Sequence, residues 1–292
     1  MGCFIVRFAG MNRLFLVFLL AIAIDALAQR PSDAQIQSLL AEGRQAMEEQ
    51  DFQTAENIFT KLIASTGLQR REDFQFVYQR AVCRYYQENP EAVLEDLALF
   101  GPEMESVPQP HLLRSLVLRD LGRNQELIGS VDRALALHVA EMESQLLRLK
   151  AEAYMNLNEL DSAQEVMRKS LIKEPTPDGY GLQAFILYRS GDLEDALGAI
   201  HKAVELDYSY APAYRYATTF CLQEGDYQRA LVYSGLGMRV DPEDPDMIYF
   251  RGIALVETGQ LDAGCRYLNK AFYSGNEDAG YYLEEHCYPI EK

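Results

Sequence analysis

The chain lacks tryptophan and has few of the residues on which much enzyme chemistry depends. Its 292 residues include no Trp, four His and five Cys. The histidines lie far apart, without the H-E-x-x-H or paired Cys/His spacing of zinc sites. Residues 234–237 contain two glycines but fall in a predicted helix, without the preceding strand that a nucleotide-binding loop needs. We therefore predict no metal site, no cofactor, no catalytic residues and no enzyme activity.

Basic residues are also scarce. The 27 Lys and Arg stand against 44 Asp and Glu, which gives a formal net charge of −17 and a pI near 4.7. Such a chain repels phosphate backbones, so we expect no nucleic-acid partner. The 18 Tyr and 13 Phe, in contrast, suit surfaces that are half buried and half wet. This composition favours a protein-binding surface.

Long apolar runs are missing except near the start, at residues 14–24. This run follows Arg13 and precedes small residues at positions 26 and 28, a spacing typical of signal peptidase sites. Its length of 11 residues is too short to span a bilayer core of about 30 Å. The pattern therefore indicates a cleaved signal peptide and no stable membrane span after cleavage.

Cleavage after this pattern assigns residues 1–28 to the signal peptide and makes Gln29 the first residue of the mature chain. We accordingly expect an exported protein, either periplasmic or extracellular. Translation could start at Met1 or at Met11, and the sequence leaves that choice open.

Turn-like residues recur along the remaining chain at intervals of 33 to 38 residues. This period is typical of helix-turn-helix repeats. The seven turn residues are Gln50, Glu88, Gly122, Asn158, Gly191, Gly225 and Gly259. Apolar residues recur at steps of three and four on both sides of the turns, which predicts a first and a second amphipathic helix in each repeat.

Small residues occupy fixed places on both helices. Seven residues before the turns lie Gly43, Ala81, Ser115, Ala151, Ala184, Thr218 and Gly252. Five residues after them lie Ala55, Ala163, Ala196, Ala230 and Gly264, and nine after come larger residues such as Phe59 and Ile200. Small residues facing large ones allow two helices to interdigitate closely.

These residues resemble the tetratricopeptide repeat family, in an exported bacterial form. The resemblance covers about residues 36–278 and is strongest in the last four repeats. It implies an all-α, right-handed superhelical solenoid of about seven repeats, in one domain. A short lead at 29–35 would precede it, a break near 101–110 would interrupt it, and a capping helix and tail at 279–292 would close it.

Four cysteines remain after the signal peptide: Cys83, Cys221, Cys265 and Cys287. None lies in a C-x-x-C pair, and such cysteines commonly serve as small buried hydrophobic residues. Cys265 falls on the last second helix and Cys287 on the capping helix next to it. We expect this pair, of all pairs, to meet as a disulfide, although the sequence leaves their bridging open.

The resemblance also implies where a partner binds. First helices of such stacks line a concave groove, and fixed positions of each repeat contact the ligand. The predicted groove residues, which would face solvent while no partner is bound, are Tyr78, Tyr85, Arg148, Phe185, Tyr188, Arg189, Arg215, Leu222, Tyr249 and Ile253. Tyr and Arg are enriched at interface hot spots. The alternative is that some of these side chains are buried against the neighbouring repeat.

We therefore predict a non-catalytic scaffold or adaptor of the periplasm or cell envelope. It would hold an extended peptide or a helix of another protein in its groove. Two alternatives stay open: a periplasmic chaperone for exported clients, and an accessory subunit of an envelope enzyme. The sequence indicates neither the identity of the partner nor the oligomeric state.

Overall fold

The computed structural model describes residues 30–101 and 106–288. The predicted signal peptide, both candidate start residues, Gln29 and most of the tail lie outside the described residues. Within the described ranges all regular structure is helical and no strand occurs. This confirms the prediction of an all-α fold.

The chain divides into two compact units, one ending at Leu121 and the other beginning at Gly122. The sequence predicted one continuous domain with a break near 101–110, so the observed division falls one helix later. Pro108 and Pro110 lie in the first turn of the helix Pro108–Asp120 rather than in a loop. Proline is tolerated there because those N–H groups have no partner within the helix.

The first unit contains five α-helices among its described residues. They are α1 (Asp33–Glu48), α2 (Phe52–Thr66), α3 (Phe74–Tyr86), α4 (Pro90–Ala98) and α5 (Pro108–Asp120). A capping box opens α1, in which the Ser32 hydroxyl accepts from the Gln35 N–H and the Gln35 side chain accepts from the Ser32 N–H. Because α1 begins at Asp33, the last three residues of the predicted lead are already helical.

The second unit contains ten α-helices among its described residues. They are α6 (Asn124–Leu135), α7 (Ala140–Asn156), α8 (Leu160–Lys173), α9 (Pro177–Arg189), α10 (Leu193–Leu206), α11 (Ala211–Gln223), α12 (Tyr227–Val240), α13 (Pro245–Glu257), α14 (Leu261–Tyr273) and α15 (Asp278–His286). First helices α7, α9, α11 and α13 each pack against the second helix that follows, and α15 packs on α14. The last helix is the predicted cap.

All seven predicted turn residues have a left-handed backbone, with φ between 56° and 86°. This conformation reverses the chain between the two helices of a repeat. Glycine adopts it without strain, whereas Gln50, Glu88 and Asn158 carry a Cβ that disfavours it. The period of about 34 residues in the sequence is therefore the period of this turn.

The predicted small residues lie where paired helices approach most closely. A Cβ added at Gly252 would stand 2.8 Å from the Leu268 side chain, and one added at Gly264 would stand 2.5 Å from Cγ2 of Val256. In the first unit, a Cβ at Gly43 would lie 2.9 Å from the Phe59 ring. These distances are shorter than normal carbon contacts, so the close packing depends on the missing side chains.

The cysteines fall into two groups. Cys83 and Cys221 are free and buried. Cys265 of α14 and Cys287, which directly follows α15, form a disulfide with a Cα separation of 5.8 Å. The bridge ties the terminal helix to its neighbour, as the sequence suggested for this pair.

Candidate partner-binding face

The first helices of the second unit lie side by side. Helix α7 contacts α9, α9 contacts α11, α11 contacts α13, and α13 contacts α15. We call the surface formed by these five helices the first-helix face. Eight of the predicted groove residues lie on these helices, and the other two lie on α3 of the first unit.

One group of aromatic rings, the first aromatic cluster, joins α9 to α11. Tyr188 stacks on Phe220, with ring centroids 4.2 Å apart and planes 12° apart. Phe185 meets Phe220 edge-on at 5.8 Å and Tyr216 at 5.9 Å. Phe220 is buried, but Phe185 remains 37% exposed. The cluster therefore presents an apolar edge to solvent on a rigid base.

Gly181 makes room for this arrangement. A Cβ at that position would lie 3.3 Å from the Tyr210 hydroxyl and 3.4 Å from Cε2 of Tyr216. The Tyr210 hydroxyl also donates to Asp178 at 3.2 Å. Glycine at this place lets the aromatic rings of α11 and its preceding loop lie directly against α9.

A second aromatic cluster joins α13 to α15. The rings of Tyr249 and Tyr282 are nearly perpendicular, with centroids 6.5 Å apart, and Tyr282 lies 4.2 Å from the His286 ring. Ile253 packs against the same hydrophobic core as Tyr249. The capping helix thus contributes side chains to the first-helix face as well as closing the stack.

Tyrosine hydroxyls in both units donate to acids at the ends of neighbouring first helices. Tyr188 donates to Glu224 at 3.1 Å, just after α11, and Tyr282 donates to Glu257, the last residue of α13. In the first unit Tyr85 donates to Asp120 at 3.0 Å.

The pKa values of Tyr188, Tyr282 and Tyr85 are raised above the ordinary tyrosine value. Burial is the larger cause, and the hydrogen bond to the accepting carboxylate is the next. A tyrosine with a raised pKa keeps its proton at neutral pH. Each phenol therefore stays a hydrogen-bond donor to its carboxylate.

The predicted groove arginines are engaged within the chain. Arg189 donates to a backbone carbonyl of α7 at 2.9 Å, and Arg148 lies 3.8 Å from Glu174. Arg215 donates to Asp244 at 2.8 Å, and the Asp244 side chain is only 2% exposed. Since Asp244 also accepts backbone N–H groups at the start of α13, Arg215 helps to hold that helix in place.

Comparisons with known proteins agree with this geometry. Residues 145–171, in α7 and α8, match the tetratricopeptide repeat model. A tetratricopeptide repeat protein from Parabacteroides merdae superposes on 86% of this chain and 98% of its own, with a TM-score of 0.67 at 12% identity. Residues 145–171 form a tetratricopeptide repeat, and the chain has the tetratricopeptide fold.

Other solved structures share the tetratricopeptide fold. The C-terminal part of a repeat protein from Cytophaga hutchinsonii matches 83% of this chain and 98% of its own, with a TM-score of 0.63 at 14% identity. MamA from Desulfovibrio magneticus matches 59% and 96%, with a TM-score of 0.52 at 17% identity. At these identities the likeness shows the fold alone. No curated protein matches the sequence significantly.

The tetratricopeptide fold is a scaffold for protein–protein interaction, and members of the family are generally non-catalytic. In the described part of this chain, no three His, Cys, Asp or Glu residues are arranged to hold a metal ion. A search of the same residues finds no helix with the length and hydropathy of a membrane span.

Several predicted groove residues are less exposed than expected from the sequence. Tyr188 and Tyr249 are half buried because they pack against aromatic rings of the next first helix. Leu222 and, in the first unit, Tyr78 pack against hydrophobic clusters. The alternative that some of these side chains are buried against a neighbouring repeat therefore applies to these four.

The sequence reasoning missed three aromatic residues of the face: Tyr216, Phe220 and Tyr282. They lie outside the family's usual ligand positions or on the capping helix. The available signal was the spacing of Tyr216 and Phe220, which puts both rings on one side of α11.

Proposed function

We propose that this protein is an adaptor or scaffold that holds an extended peptide or a helix of another protein against the first-helix face. The observation that supports this most strongly is the pair of aromatic clusters between successive first helices. Each cluster has partly exposed aromatic rings and one tyrosine hydroxyl that donates to a glutamate, Glu224 in the first cluster and Glu257 in the second. Rings with an apolar body and a polar tip are suited to interfaces and are enriched at binding hot spots.

We further propose that the protein acts outside the cytoplasm, in the periplasm or cell envelope or outside the cell. The signal-peptide pattern in residues 1–28 supports this. The disulfide between Cys265 and Cys287 also supports it, because disulfides persist mainly in oxidising compartments. Mass spectrometry of the purified native protein should find a mature chain that begins at or next to Gln29. An intact leader on cytosolic protein would contradict this location.

Photocrosslinking tests the binding face without removing any packed ring. A benzophenone amino acid, itself aromatic, is placed at Phe185 or at Tyr249 in the full chain. Matched controls carry it at Val232 on α12 or at Tyr273 on α14, which are 59% and 84% exposed on second helices. We expect adducts with one protein from positions 185 and 249 and none from the controls.

The pattern of adducts also separates the candidate functions. One partner at fixed stoichiometry supports an adaptor, and if that partner is an enzyme it supports the accessory subunit. Many weak adducts from the first-helix face would instead support a chaperone. Adducts only from Val232 and Tyr273 would place the interface on the second helices and overturn the proposal.

A further inference from the structure

We propose that the segment held on the first-helix face carries Lys or Arg side chains, two of which bind at Glu224 and Glu257. This inference rests on the proposed function and adds the chemistry of the partner. It depends on the contrast between two kinds of charged side chain on the face: those that are bound to other groups of the chain and those that can still accept a ligand.

The two acids combine exposure with a fixed position. Glu224 and Glu257 are exposed, and each accepts a tyrosine hydroxyl from a neighbouring helix of the face, α9 for Glu224 and α15 for Glu257. A carboxylate offers about four acceptor sites, so one phenol leaves most of them for an external donor. The phenol also holds the carboxylate beside the aromatic cluster, which lowers the entropy cost of binding a cation there.

Aromatic rings next to each acid strengthen the preference for a cation. Glu224 is bonded to Tyr188, whose ring stacks on Phe220. Glu257 is bonded to Tyr282, which packs against Tyr249. A guanidinium or ammonium group gains from a carboxylate through a charge-assisted hydrogen bond and from a ring through the cation–π interaction. Both acids thus sit in the setting that favours a Lys or Arg side chain.

The cations of the face do not offer the same opportunity to an acidic segment. Arg215 is bound to the buried Asp244, and Arg189 donates to a carbonyl of α7 and to Asn158. An acidic partner would have to displace these bonds and would leave Asp244 buried without its counter-charge. The net charge of −17 also repels an acidic segment and attracts a basic one over longer distances.

The spacing of the acids defines the segment more closely. Helices α11 and α13 are neighbours, and packed helices lie about 8–10 Å apart. A peptide in the extended polyproline II conformation has three residues per turn and rises about 3.1 Å per residue. Basic residues three positions apart in such a peptide lie on the same face, about 9 Å apart, and would therefore reach both carboxylates.

Display of short random peptides against the full chain tests the inference. We expect the selected peptides to be enriched in Lys and Arg at a separation of about three residues. The consensus peptide, made with Arg, should bind about tenfold more weakly when its arginines are replaced by citrulline, the neutral urea analogue. The variant Glu224→Gln with Glu257→Gln should weaken the Arg peptide by a similar factor and leave the citrulline peptide unaffected.

Glu205→Gln with Asp262→Asn is the matched control, since it removes two exposed acids from the second helices α10 and α14. It should leave binding within about twofold. Neutral or acidic peptides that still crosslink to benzophenone at position 185 would overturn the basic partner and leave the proposed function standing. Failure to select any peptide, or peptides that crosslink only from Val232, would overturn both.

Discussion

The two units place different chemistry at equivalent positions of their repeats. In the first unit, Arg80 lies eight residues before the turn at Glu88 and Asp96 lies eight residues after it. The two side chains form an ion pair at 2.5 Å. The corresponding residues around Gly225 in the second unit are Ala217 and Tyr233, both in a hydrophobic core. One repeat geometry therefore accepts an ionic or an apolar contact at the same place.

The ionic contacts of the first unit form a network across three helices. Arg84 of α3 donates to Glu56 of α2 at 2.8 Å and lies 2.9 Å from Asp96 of α4. Its equivalent in the second unit is the buried, free Cys221. Both units keep a small, fully buried residue seven positions before the turn, Ala81 in the first and Thr218 in the second.

We expect the largest effect from breaking the ionic network. Asp96→Asn removes the shared counter-charge of Arg80 and Arg84, and loss of one partner of a buried pair costs about 3–5 kcal/mol. Chemical unfolding should show this loss, and hydrogen exchange should assign it to α2, α3 and α4. The second unit should exchange as before.

The control is Asp132→Asn in the second unit. Asp132 pairs with Lys150 but its side chain is 52% exposed, so the expected loss is below about 1 kcal/mol. Equal losses from both variants would mean that the network of the first unit has no special role in its stability.

The sequence predicted the repeat positions better than the contacts between them. The turns could be located because four of the seven carry glycine, which adopts the left-handed backbone without strain, and the small residues because the close helix packing leaves no room for a large side chain. The Arg84 network could not, because an arginine at a partly buried position can pair with any acid within reach. Tyr188 was placed on the correct helix, but its stacking on Phe220 depends on the next repeat.

Removing the disulfide should have the next largest effect, confined to the second unit. The two cysteines are 22 residues apart, and a loop of that length is expected to stabilise by about 3 kcal/mol. Cys265→Ser with Cys287→Ser should therefore lower stability by about this amount and accelerate hydrogen exchange in α15.

The free cysteines provide the internal comparison. Burial raises the pKa of Cys83 to about 12 and that of Cys221 to about 11, so neither forms a reactive thiolate at neutral pH. The native, unreduced mature chain should resist an alkylating reagent, and mild reduction should expose two thiols. Alkylation of Cys265 and Cys287 without reduction would rule the bridge out.

Gly264→Ala should have a smaller effect. Gly264 lies five residues after its turn, where the first unit has Ala55, yet an added Cβ would meet Val256 at 2.5 Å and the Gly252 carbonyl oxygen at 2.9 Å. Overpacking of this kind costs about 1–3 kcal/mol. Gly198→Ala in α10 is the control, because its Cβ would meet nothing within 4 Å.

In the control, helix propensity should raise stability by up to about 1 kcal/mol. Thermal unfolding of both variants measures the contrast. If Gly264→Ala is as harmless as Gly198→Ala, the last repeat can adopt the spacing of the first unit, and its closer packing is not required for folding.

The smallest effect is expected where the two units are most alike, at the tyrosine–acid pairs. Tyr85→Phe and Tyr188→Phe each remove the hydroxyl that donates to Asp120 or to Glu224, while the ring stays in place. Each should cost about 0.5–1.5 kcal/mol at neutral pH, the usual net value of one hydrogen bond. Tyr188→Ala should cost more, because it also removes the stacking on Phe220.

Alkaline pH should distinguish the hydroxyl from the ring. The pKa of Tyr188 is raised in the folded chain, so its contribution is complete below the unfolded value of about 10 and declines as pH rises through the folded value. Because Tyr188→Phe has no proton to lose, the gap in unfolding free energy between it and the parent chain should narrow above about pH 10. A gap that stays constant through this pH range would mean that the pKa of Tyr188 is the same in the folded and unfolded chains, so that neither burial nor the bond to Glu224 raises it.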